Sequence, residues 1–144
     1  MFQLRVEMSF DYAHRLLTKD GKEFYDKKKC GSLHGHRGVA IVTLRSIGTN
    51  KFGFVKDFSD IKTDIKQWID KNWDHATIIH PHDQNLLNFI RDEGDRFYMM
   101  PEGLTTSAES MARRLYEIIK EIFKYDVLSV EIYETPTSSA LYKE

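Results

Sequence analysis

Apolar and polar residues alternate strictly at the start of the chain. Phe2, Leu4, Val6, Met8, Phe10 and Tyr12 share one parity, with mostly polar residues between them. That period of two is the mark of a half-buried strand, and His14 continues its apolar face. From about Thr18 to Ser32 the period is lost; Gly21, Gly31 and Lys27-Lys28-Lys29 fall here, and the stretch reads as a long loop. Long loops within compact folds are often functional. A second strand runs from His34 to Ile47, and its apolar run Val39-Ala40-Ile41-Val42 predicts burial on both faces.

The period then changes to that of a helix. Phe58, Ile61, Ile65, Trp68 and Ile69 form one stripe over 58–71, with Asp57 or Ser59 as its cap. Trp73-Asp74-His75 reads as a loop. Asp83 caps a short helix near 84–92, which stops at Gly94. A short strand over 96–100 ends at Pro101. A second long helix over 107–124 carries the stripe Ala108, Met111, Ala112, Leu115, Ile118, Ile119 and Ile122, behind a capping box of Thr106 and Glu109. Residues 127–134 and 139–142 close the chain as a hairpin around Pro136. The main order, strand-strand-helix-helix-strand-strand, predicts an α+β fold: a four-stranded antiparallel sheet with two long helices on one face. Such a sheet has two open edges, and pairing them with other copies predicts a homo-oligomer.

Length and composition narrow the class. At 144 residues the chain fits one domain spanning 1–144. Its 21 basic and 22 acidic residues nearly cancel, which argues against a nucleic-acid binder. No apolar run reaches the roughly 18 residues of a membrane span, so no membrane partner is expected. The N-terminus lacks a signal-peptide layout, and one cysteine cannot form an internal disulfide; both fit a cytoplasmic protein.

The chemistry concentrates in Cys30-Gly31-Ser32-Leu33-His34-Gly35-His36. Two histidines at i and i+2 on a strand share a face, and His14 can supply a third imidazole. Three histidines with an open position are a catalytic zinc pattern. Cys30 is either a fourth ligand, which would make the site structural, or a base or nucleophile beside it; four residues reach about 13–14 Å. Lys27, Lys28 and Lys29 would favour its thiolate. His80 and His82, split by Pro81, read as a solvated turn. Asp74-His75 sets a carboxylate beside an imidazole that can shuttle protons. Glu134 falls on the apolar parity of Leu128, Val130 and Ile132. It either marks the strand's wet end or binds convergent N–H donors, such as the guanidine-like edge of a pterin or guanine.

These residues together resemble the 6-pyruvoyltetrahydropterin synthase family. The matching segments are Phe10-Asp11-Tyr12-Ala13-His14-Arg15-Leu16, Cys30 to His36, Gly53-Phe54-Val55-Lys56-Asp57-Phe58, Asp74-His75, Thr106-Ser107-Ala108-Glu109 and Tyr133-Glu134-Thr135. They occur in family order over nearly the whole chain. The three-residue gap between Cys30 and His34 is similar to that of the bacterial 6-carboxytetrahydropterin synthases of queuosine (7-deazaguanine) biosynthesis.

The resemblance implies a tunnelling fold whose subunits join their sheets into a barrel, trimer-based or hexameric. It implies zinc (Zn2+) on His14, His34 and His36, and an acid/base set of Cys30, Asp74 and His75. It implies Glu134 as the pterin anchor, with Glu109, Thr106 and Ser107 near the pterin pocket. The implied substrate is 7,8-dihydroneopterin triphosphate, with Arg15, Lys27, Lys28 and Lys29 as candidate triphosphate contacts. The implied products are 6-carboxy-5,6,7,8-tetrahydropterin, acetaldehyde and triphosphate. A pyruvoyl synthase that stops before carbon–carbon cleavage is the near rival, and a non-catalytic zinc- or pterin-binding module the distant one. Two departures stand out: Arg37-Gly38 replaces a small polar residue followed by an aromatic, and 78–100 is longer than in compact relatives.

Overall fold

The structure, a computed structural model, describes residues 1–144. Nine elements follow one another: β1 (Phe2–His14), β2 (His34–Ser46), α1 (Phe58–Asn72), β3 (Ala76–Ile79), α2 (Gln84–Glu93), β4 (Phe97–Met99), α3 (Ala108–Glu121), β5 (Val127–Thr135) and β6 (Ser138–Tyr142). The fold is α+β, as the periodicities predict. The sheet is a correction: it has six strands, not four, in the order β4-β3-β1-β2-β5-β6. It is mixed rather than antiparallel, because β3 runs parallel to both β1 and β4. β3 escapes a periodicity reading because all four of its residues are buried, and a short apolar run has no alternation to detect.

The even residues of β1 and β2 pack against α1 and α3. Leu4, Val6, Met8 and Phe10 meet Ala40, Val42 and Leu44 from the neighbouring strand and Ile61, Ile65, Met111 and Leu115 from the helices. Register fixes this face, since a one-residue slip would turn every apolar side chain to the other side. β1 and β2 pair without a break from Phe2↔Ser46 to His14↔His34. β5 bulges opposite Thr43/Leu44, so Val127, Val130 and Ile132 are buried whereas Leu128 is not. The third helix, α2, is absent from the two-helix layer. Ile78 joins the main core, while Ile79 packs with Leu86, Leu87 and Ile90 of α2. Successive strand residues point to opposite faces, which sets α2 on the other side of the β3–β4 edge.

Caps explain the helix starts. Asp57 accepts from the backbone of Ser59, and Asp83 from that of Leu86. The expected Thr106–Glu109 capping box is corrected: Ser107 is the N-cap of α3, accepting from the Ser110 amide. Thr106 is fully buried and bonds to the end of β1 instead. No helix is long and apolar enough to cross a membrane.

Candidate metal centre and pocket

The β1–β2 register places His14 directly opposite His34, and Tyr12 opposite His36. Opposed residues of an antiparallel pair share a face, so three imidazoles and a phenol form one patch at the strand ends. One ligand atom from each histidine lies within 4.8 Å of the others. The His14 ring nitrogen Nδ1 is 2.7 Å from the Thr106 carbonyl oxygen, and that of His34 is 2.6 Å from the Ser32 carbonyl oxygen. A carbonyl only accepts, so each Nδ1 carries a hydrogen, the tautomer that leaves Nε2 as the ring's metal-binding nitrogen. The Nε2 atoms of His14 and His36 are buried and have no hydrogen-bond partner. Burial, with the two neighbouring histidines adding to it and the Thr106 carbonyl opposing it, lowers the His14 pKa to about 4. Burial also depresses His36, partly offset by the Glu134 charge. Three converging imidazoles, two with buried unpartnered Nε2 atoms and two oriented by backbone carbonyls, fit the donor set of a divalent ion such as zinc.

Glu134 reaches this patch. Its Oε1 is 3.7 Å from His14 Nε2, and its side chain is 29% exposed. Residues Tyr133 and Thr135 pair with Ser139 and Ser138 on β6, which leaves Glu134 as the extra residue of a bulge. A bulge re-aims its side chain, and this one turns a carboxylate toward the histidines rather than to open solvent.

The remaining expected residues fall in three places. Cys30 ends the long loop, half-buried and unpaired in a disulfide, and its carbonyl accepts from Leu16 N–H. It is not a member of the histidine cluster. Next to it, a Cβ on Gly31 would stand 1.6 Å from the Tyr25 carbonyl oxygen, so the loop closes only on glycine. Thr106 belongs to the centre: its carbonyl orients His14, and its hydroxyl donates to the Arg15 carbonyl. Ser107 caps α3, whereas Glu109 is exposed in a separate groove with Lys19 and Arg113.

Asp74 and His75 do touch, with 2.9 Å between Oδ2 and Nδ1. Asp74 also accepts from the Asp11 amide. Burial pushes the Asp74 carboxyl up, but the Asp11 amide and His75 outweigh it and hold it low. The pair forms a second cluster, with Asp11, on the strand parity opposite His14. Its imidazole is 73% exposed. One chain therefore does not bring it to the histidine centre.

Two cationic candidates are occupied. Arg15 is locked to Asp83 by two bonds of 2.7 and 2.8 Å, and Arg15 and Lys27 both lie over the Phe24 ring. Lys28 and Lys29 are exposed. His82 is exposed as a solvated turn requires, but His80 is buried, its Nδ1 accepting from the His82 amide. Arg37 points to the outer face, 3.6 Å from Asp11. Sequence reasoning missed Tyr12, Asp11 and Arg37 as neighbours of these clusters. The signal for Tyr12 was available: it shares the parity of His14.

The model of the family described as 6-pyruvoyl tetrahydropterin synthase matches residues 3–144. The chain belongs to that family. It is 35% identical to the 6-carboxy-5,6,7,8-tetrahydropterin synthase of Rickettsia conorii, over 94% of this chain and 96% of that protein. It is 32% identical to the protein of that name from Haemophilus influenzae, with both chains fully covered. Among solved structures, an uncharacterised protein from Wolinella succinogenes superposes with a TM-score of 0.77 at 26% identity, over 99% of this chain and 98% of that one. The 6-pyruvoyl tetrahydropterin synthase of Caenorhabditis elegans superposes at 0.71 and 24% identity, over 99% and 95%, which speaks for the fold alone. The 6-pyruvoyl tetrahydropterin synthase family thus spans the whole architecture, from the histidine centre at the β1–β2 ends to the bulged Glu134.

Proposed function

We propose that the chain is a zinc-dependent 6-carboxy-5,6,7,8-tetrahydropterin synthase. Its substrate would be 7,8-dihydroneopterin triphosphate and its products 6-carboxy-5,6,7,8-tetrahydropterin, acetaldehyde and triphosphate, with one water consumed to balance the atoms. The observation that carries the reading is the convergence of His14, His34 and His36 next to Glu134. A metal centre alone fits many hydrolases; a carboxylate re-aimed into its pocket fits a ligand with paired N–H donors. The relatives' shared name supports the product.

His14, His34 and His36 would hold the zinc, which when bound polarises the substrate's side-chain hydroxyls as a Lewis acid. Glu134 accepts the paired N–H groups of the pterin ring and fixes the ring's distance from the metal ligands. Cys30, outside the ligand set, takes a proton from the substrate side chain as thiolate. His75, aligned by Asp74, holds and returns protons at its Nε2. Because the pair lies away from the histidine centre of its own chain, it would serve the centre of another copy in a homo-oligomer. Glu109, Ser107 and Thr106 shape the approach through the α3 start, and Lys28 and Lys29 remain free for the triphosphate. The pathway served would be that of queuosine or a related deazaguanine.

The test is product analysis. Holoenzyme incubated with 7,8-dihydroneopterin triphosphate should release one acetaldehyde per carboxypterin formed. A pyruvoyl product without acetaldehyde would instead support the reading that the family model's description names. Tight pterin binding with no turnover would mark a binding module.

A further inference from the structure

Tyr12 sits inside the candidate centre without a task. Its side chain is buried, with the residue only 4% exposed, yet its hydroxyl has no hydrogen-bond partner. A buried hydroxyl left unpaired costs roughly 1–3 kcal/mol. Folded proteins rarely leave such a group bare unless something binds it. The ring stands edge-on to His14 at 5.2 Å and tilts toward His36 at 5.6 Å. An ordinary phenol carries its hydrogen at neutral pH, so this unpartnered hydroxyl is a donor as well as an acceptor. Metal ligands and pterin anchor thus both border this one unpartnered donor.

Gly38 explains how the phenol fits. It lies across from Phe10 on the same face, and a Cβ there would stand 2.8 Å from Phe10 Cζ and 3.0 Å from Tyr12 Cε1. The missing side chain at 38 is the space into which the two stacked rings lean, 5.3 Å apart. The glycine at 38 and the tyrosine at 12 are therefore one packing arrangement.

We infer that Tyr12 is a substrate-binding residue whose hydroxyl donates a hydrogen bond to the bound pterin between Glu134 and the histidine centre. The inference rests on the pterin reading above and adds a contact to it. Tyr12→Phe keeps the ring and removes only the donor. In zinc-loaded protein, the variant should hold the same zinc per chain, and its Tm should not fall. Its Kd for sepiapterin (a reduced pterin without the triphosphate) should rise about 3- to 10-fold, the range of one buried hydrogen bond. KM for the full substrate should rise in step. Unchanged affinity in Tyr12→Phe, or a loss seen only as a lower Tm, overturns the inference while leaving the pterin reading intact. If wild-type protein neither binds nor converts any pterin, both fall together. A second variant guards the result: Phe10→Leu loosens the same packing but leaves the hydroxyl, and should lower Tm without the matching loss of affinity.

Discussion

Single side chains divide here by what each leaves unpaired. His14→Ala removes a candidate metal ligand, a buried Nε2 with no other partner; zinc per chain, read by metal analysis after dialysis, should fall to a small fraction of wild type. Cys30→Ala should keep its zinc yet lose about 100- to 10,000-fold in turnover, the range for a lost acid or base. Joint loss of zinc and fold would instead make Cys30 a structural ligand. His14 also predicts a pH dependence for metal-free protein. Its folded pKa, about 4, lies below the unfolded value of about 6.5. The unfolded chain therefore binds more protons between those values. Stability is complete above the unfolded pKa and is lost as pH falls toward 4, by up to about 3 kcal/mol. Thermal melts of chelator-treated protein at pH 7.5 and 4.5 should show that loss, and His14→Gln should show less of it. The three histidines were legible because period two and chain order suffice to place them. The Tyr12 hydroxyl was not legible, since an aromatic on an apolar parity reads as core whether or not its oxygen finds a partner.

At the scale of elements, an ion-pair clasp joins the end of β1 to the start of α2 beside the long loop. Arg15 at the end of β1 grips Asp83 ahead of α2, and Asp83 is only 3% exposed. Asp83→Asn keeps the helix cap but halves the ion pair, leaving a buried guanidinium short of its charge partner. A cost of about 3 kcal/mol is expected, read as a lower urea midpoint. The helices were legible from their stripes and caps, and the first two strands from alternation. β3 was not, because pairing in parallel with β1 buries it on both faces. The Thr106 cap failed for a related reason: Thr106 is recruited by His14 and Arg15, far away in sequence. A local motif cannot reveal a tertiary claim on its residues.

The whole chain poses a question of sharing. Its histidine centre and its Asp74–His75 pair occupy different clusters, so under the proposed function an acid/base set drawn from both would come from two copies. Mixing unfolded Cys30→Ala and His75→Ala chains and refolding them together should restore activity that neither variant has alone. Random assembly leaves one site in four with both groups, so recovery should approach about a quarter of wild type. No recovery, with mixed oligomers confirmed by mass, would mean that each chain serves itself. Net charge and composition contained nothing of this arrangement, which arises from which strand lies beside which.

Gly38 and Tyr12 carry one consequence for how such a sequence can drift. Where position 38 is aromatic, as in the resemblance noted above, a tyrosine at 12 has no room. Where 38 is glycine and 12 is small, a hole opens beside Phe10. Each single step from one arrangement to the other crosses a less stable intermediate, either overpacked by about 1–3 kcal/mol or hollowed by a comparable amount. The two positions should therefore vary together: sequences of this fold with an aromatic at 38 should carry a small residue at 12, and a comparison of both columns across such sequences checks it.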